Sequence, residues 1–263
     1  MKLFSSFTMI FLMFFSNLNG QIVPSQYGFL HPPPPDGLTP ETASSSAYQI
    51  KQDYPNSTDG IYWIENINLN GGAPFEIYAD MTTDGGGWTL IMKNSSNQGW
   101  TIANAIEKNA TNPPDINEIN VKNSINYSII GWADYIKKTE SGFQYMIDAK
   151  TRGSYGGIWT ANENYSFVNT DISQTNITID QKFGNWNYVE DNGIGQRMPW
   201  YQTQQNCSMS KGIITTDDDE CDNWWGALIT KRTGFDPSPW IRSNGIDSDN
   251  YMREPGIIWY WVR

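Results

Sequence analysis

The stretch Thr58–Ile91 reads TDGIYWIENINLNGGAPFEIYADMTTDGGGWTLI, and its pattern decides how the chain is organised. Three short runs rich in β-branched and aromatic residues, Ile61–Ile67, Pro74–Tyr78 and Trp88–Met92, are separated by glycine-bearing breaks. Such side chains suit a pleated surface, and Gly clusters between them mark turns. The stretch therefore predicts three strands in an antiparallel meander. The triple Gly85-Gly86-Gly87 supplies backbone freedom for positive φ or a close approach.

Outward from this stretch the same grammar continues with helical insertions. Tyr127–Lys138 places Ile129, Ile130, Ala133 and Ile136 at helical spacing, and Gly142 follows shortly beyond. Phe143–Ala149 and Asn176–Ile179 predict further strands. The last seven residues, Ile257–Arg263, are apolar on both faces, which marks a buried strand or one half of a ligand wall. Strands first and helices inserted later give an α+β domain over residues 57–263. It opens with an antiparallel meander and continues as a mixed, loop-rich remainder with short helices.

Composition bounds the class. Leu, Ile, Val and Phe make up about 20% of the chain, at the edge of the disordered range. The 12 Trp, 14 Tyr and 11 Phe offset this, because each aromatic buries a large area. The 29 Ile against 8 Leu lean toward strands. A formal charge of −11 lacks the Lys/Arg footprint that phosphate backbones require, which speaks against nucleic acid. The only His is His31, so His-based catalysis and His-ligated zinc have no residues to work with in the folded body.

Residues 1–20 carry Lys2, an apolar run from Leu3 to Phe15, then small and polar residues, the pattern of a secretory signal peptide. An uncleaved anchor is the competing reading. No other segment has the ~18 apolar residues of a membrane-spanning helix, so the mature chain has no span and is expected outside the cell. Residues 21–56 are Pro- and Ser-rich, including Pro32-Pro33-Pro34-Pro35 and Ser44-Ser45-Ser46, and predict a disordered, extended linker. Neither heptads nor a Gly-X-Y repeat provides an oligomerising stalk, and the oligomeric state is not encoded legibly. Seven sequons, at Asn56, Asn94, Asn109, Asn126, Asn164, Asn176 and Asn206, agree with a secretory route and are candidate glycosylation sites.

The opening stretch resembles the start of a fibrinogen C-terminal-like domain, as found in ficolins, tachylectins and, more distantly, intelectins. The residues that carry the resemblance are Asp59-Gly60-Ile61-Tyr62, Pro74-Phe75-Glu76-Ile77-Tyr78-Ala79-Asp80-Met81 and Gly85-Gly86-Gly87-Trp88-Thr89. Ala79 stands where that family usually has Cys, and no upstream Cys could partner it. The fold thus lacks a bridge typically worth about 2–4 kcal/mol. The resemblance resumes at Cys221-Asp222-Asn223-Trp224-Trp225-Gly226 and in the Trp-Tyr-Trp-Val-Arg ending.

Cys207 and Cys221 are the only cysteines, and in a secreted chain they read as one disulfide worth about 3 kcal/mol. Free or metal-bound thiols are the alternative. Asp217-Asp218-Asp219-Glu220 puts four carboxylates in a row just before Cys221. Like charges so crowded are either solvated or gathered by a cation, and Ca²⁺ suits an oxygen-rich cluster. The resemblance implies Ca²⁺ held by Asp217 and Asp219, with Asp218 between them. Asp247-Ser248-Asp249-Asn250 is a second acidic run, and neither run has EF-hand spacing. Trp224 and Trp225 are adjacent, so in a strand only one can face a pocket. The resemblance places a pocket for acetyl groups beside them, which Trp259 and Tyr260 could also line; core packing is the default for each.

These features imply a non-enzymatic, secreted, Ca²⁺-assisted recognition module for glycans or acetylated groups on cell or microbial surfaces. The alternative is an adhesion protein of the extracellular matrix that binds protein partners.

Overall fold

A computed structural model of the full chain describes residues 32–95, 99–118, 125–149, 151–184, 193–203, 212–216, 227–230 and 257–263. The chain divides into two units, Met1–Pro33 and Pro34–Arg263. Of the first, only Pro32 and Pro33 are described, as exposed coil.

The second unit is α+β. Strands β1 (Gly60–Ile64), β2 (Phe75–Asp80) and β3 (Trp88–Asn94) form the expected antiparallel meander. The predicted limits shift by a few residues: the first strand stops at Ile64, and the third runs on to Asn94. The main sheet has the order β1-β2-β3-β11-β5-β6-β7, with β4 (Tyr127–Ser128) also pairing with β3. Its other members are β5 (Phe143–Ala149), β6 (Tyr155–Ala161), β7 (Ile177–Phe183) and β11 (Ile258–Val262). A second sheet runs β10-β9-β8, from Ala227–Thr230, Gly212–Thr215 and Trp200–Tyr201. All pairings between these strands are antiparallel.

The two-faced apolar ending is a central strand. β11 lies between β3 and β5, and all five of its residues are buried. Directly opposite residues share a face of a sheet, so β11 sorts its neighbours. Tyr260 faces Met92 and Ile147 across the sheet, and Val262 faces Thr89 and Tyr145, making an apolar side. There Tyr260 meets Tyr145 at 6.0 Å and Phe167 at 5.5 Å between ring centroids. Burial of such rings, at about 25 cal/mol per Å², is the main driving force for this core.

Two expectations need correction. Residues 34–56 are not a disordered linker. Ser46 caps helix α1 (Ala47–Asp53) by accepting from the Gln49 N–H at 3.0 Å, and α1 buries Ala47 and Ile50 completely. Ser44 joins the edge of β1 through the Trp63 carbonyl and the Glu65 N–H. Pro40 starts a 3-10 turn, and the Tyr54 hydroxyl donates to the Pro34 carbonyl. Low apolar content concealed two well-placed side chains and a serine cap. The helix expected over Tyr127–Lys138 is also broken up, into β4, a 3-10 turn at Ile130–Trp132 and a short α3 (Ala133–Ile136). The Ser128 hydroxyl donates to the Ala105 carbonyl of helix α2 (Ile102–Ile106), which holds the first turn out of helical register.

Candidate functional site

The face of the main sheet opposite Tyr260 is buried as well, and it carries aromatic and charged side chains together. One cross-strand row contains Tyr127, Lys93, Trp259 and Asp148 on β4, β3, β11 and β5. Beside it, Trp261 meets the Tyr78 ring edge-on at 6.3 Å. The Arg152 guanidinium lies over Trp261 at 4.6 Å and pairs with two buried carboxylates, Asp80 and Asp148, each at 2.5 Å.

The electrostatics follow from burial. Desolvation pushes the Asp148 carboxyl up to about 6, in spite of Arg152 beside it and the Gly153 N–H that donates to it. Burial acts the same way on Asp80, yet hydrogen bonds from Thr83 and the Thr82 N–H, with Arg152, hold it below the usual range. Desolvation lowers Lys93 to about 8. Its ammonium donates to the Asp115 carbonyl at 2.6 Å and the Glu118 carbonyl at 3.0 Å. Among the described residues, the indole N–H groups of Trp259 and Trp261 and the Tyr127 hydroxyl are buried without hydrogen-bond partners. A sheet face of this kind is held by charge pairing and by Arg–aromatic stacking.

The decisive stretch supports this face. Asp59 accepts from the Met81 N–H at 2.7 Å, and Asp80 caps the turn that follows. Gly86 has φ +78°, and a Cβ there would sit 2.1 Å from the Met81 carbonyl oxygen, so only glycine fits. Gly87 lies against the Tyr48 backbone of α1, where a Cβ would come within 3.0 Å. Arg263 reaches back to this turn, pairing with the Asp84 carboxylate at 2.6 Å and lying 4.1 Å from the Trp88 ring.

Of the predicted ligand-binding residues, Tyr260 is core, and Trp259 is fully buried on the charged face between Lys93 and Asp148. Neither forms an exposed wall. Asp217, Asp218, Asp219, Trp224, Trp225, Cys207 and Cys221 lie outside the described residues, as does the run at Asp247–Asn250. What flanks them is described. Thr215 pairs with Ala227, so the two ends of the segment bearing the acidic run and both tryptophans are side by side. Thr215 and Thr216 are buried. The Asn94 amide, at the end of β3, donates to the Leu228 carbonyl of β10 at 2.7 Å. Among the described residues, no group of three or more His, Cys, Asp or Glu could hold a metal ion. No described helix is long and apolar enough to cross a membrane.

Asn94 must be removed from the glycosylation sites. It is buried, and its amide nitrogen is committed to Leu228 while its oxygen accepts from the Trp100 indole at 3.0 Å. Asn56, Asn109, Asn164 and Asn176 are exposed and Asn126 is half-buried, while Asn206 lies outside the described residues. Sequence reasoning missed Lys93, Asp148 and Arg152. The available signal was a lone charged residue, Asp148, inside the Phe143–Ala149 run, and a Lys directly after Trp88–Met92.

No protein-family model matches this sequence. Among solved structures, the chain is similar to the fibrinogen-like globe domain of human ANGPTL6, with a TM-score of 0.41 and 10% identity over 83% of this chain and 94% of that one. It is also similar to the fibrinogen-like globe domain of human ANGPTL2, with a TM-score of 0.35 and 11% identity over 83% and 98% of the two chains.

Proposed function

We propose that this protein is a secreted recognition module of the fibrinogen C-terminal-like type that binds glycans or acetylated groups. In this reading Ca²⁺ is held by Asp217, Asp218 and Asp219, and Trp224 or Trp225 offers an aromatic platform. One observation carries the reading. The acidic run and the tryptophans share a single connection whose ends are fixed next to each other by the Thr215–Ala227 pairing. A loop closed at its base presents metal ligands and an aromatic face at low entropic cost. The absence of His from residues 57–263 favours recognition over catalysis.

A second reading, adhesion to extracellular proteins, is favoured by Ile67 and Tyr135. They are 83% and 51% exposed, and their segments are joined by the Asn66 amide donating to the Tyr135 carbonyl.

Glycan-array binding that EDTA abolishes and Ca²⁺ restores is the expected result. Binding to no glycan, together with capture of a purified matrix protein through Ile67 and Tyr135, would support adhesion instead. Saturating Ca²⁺ at 100 times its Kd is expected to add about 2.7 kcal/mol of stability. An unchanged melting temperature would remove the aspartates from the site.

A further inference from the structure

Arg197 and Gln174 take no part in the charged row of the main sheet, and both are buried, at 6% and 3% exposure. Arg152 and Arg263 each pair with a carboxylate, but among the described residues no carboxylate pairs with Arg197. Among the described residues its Nε and Nη1 have no hydrogen-bond partner, and neither has the Gln174 Nε2. The backbone brings the two residues onto adjoining segments. The Met198 N–H donates to the Gln174 carbonyl at 3.0 Å, and the Tyr201 N–H donates to the Asn169 carbonyl at 2.7 Å. The Gln174 Oε1 already accepts from the Ser166 N–H at 2.7 Å, so the free end of that amide is its donor.

All three orphaned atoms are donors, and one group is a permanent cation. A guanidinium buried without a counter-charge is strongly unfavourable. Water would supply acceptor lone pairs but no charge, whereas an oxyanion supplies both. We infer that Arg197 and Gln174 form a binding site for an oxyanion group, a carboxylate, sulfate or phosphate, either free or carried on a larger ligand. The inference does not depend on the glycan reading, and a blank glycan array leaves it standing.

The test is the melting temperature of the full secreted chain in acetate, sulfate or phosphate, against chloride at matched ionic strength. Glucuronate against glucose distinguishes an anion borne on a sugar from a free one. At least one oxyanion is expected to give a saturable rise of several degrees that chloride does not give. Arg197→Met should abolish that rise. Gln174→Glu keeps the acceptor for Ser166 and puts a carboxylate oxygen in place of the orphaned donor. It should raise the melting temperature without added anion and remove the response, and it keeps the test decisive if Arg197→Met does not fold. Responses equal to that in chloride, meaning hydration only, would overturn the site, as would an undiminished response in Arg197→Met.

Discussion

Arg152 joins more of the charged face than any other described residue, since it bridges Asp80 and Asp148 and covers Trp261. Removing it leaves two buried carboxylates facing each other. Arg152→Met is expected to cost about 3–5 kcal/mol, read as a shift in the urea midpoint at neutral pH. Asp148 behaves differently, because its folded carboxyl titrates near 6 against 3.8 for the ordinary group. The folded state therefore holds this proton more tightly than the unfolded chain does. The stability it contributes is complete below pH 3.8 and is lost as the pH rises through 6. Asp148→Asn cannot titrate, so its melting temperature should gain on that of the unmodified protein between pH 4 and pH 7. A difference that stays constant over that range would mean Asp148 titrates as an exposed carboxyl does.

Among the elements, α1 shows how composition misled and how much pattern still told. The segment before residue 57 looked too polar to fold, yet Ile50 is fully buried and Ser46 caps the helix. Ile50→Ala is expected to cost about 2–5 kcal/mol and Ser46→Ala about 1 kcal/mol, both measured by chemical denaturation. A cost near zero for both would return the segment to the status of a linker. The meander β1–β3 and strands β5 and β11 were legible because alternation, β-branching and glycine breaks are local signals. β6 was not legible, since Gly156-Gly157 interrupts it. A Cβ at Gly156 would lie 2.0 Å from the Ile147 carbonyl oxygen, so close strand packing there demands glycine. The charged face was half legible. Asp80 lay inside the recognised stretch, but its partner Arg152 is 72 residues away, and no local pattern links the two.

For the whole molecule, the boundary at Pro33–Pro34 replaces the one expected near residue 57. A chain beginning at Pro34 is expected to give a single cooperative thermal transition. One beginning at Ser57 loses α1 and the Ser44 bridge and should melt at least several degrees lower. Equal melting temperatures would show that residues 34–56 add nothing to the fold.

The place of β11 has a consequence for the order of assembly. It comes after all the other described strands in the sequence, yet it separates β3 from β5 in the middle of the sheet. Until Ile258 and the residues after it have been synthesised, the β1–β3 meander and the β5–β7 meander have no strand in common. Each carries an open edge and uncovered aromatic rings, and each must wait for contacts with distant parts of the chain. Such non-local pairing is slow and prone to aggregation. The sheet is therefore completed only once β11 has emerged, and chaperone demand is greatest in the interval before it.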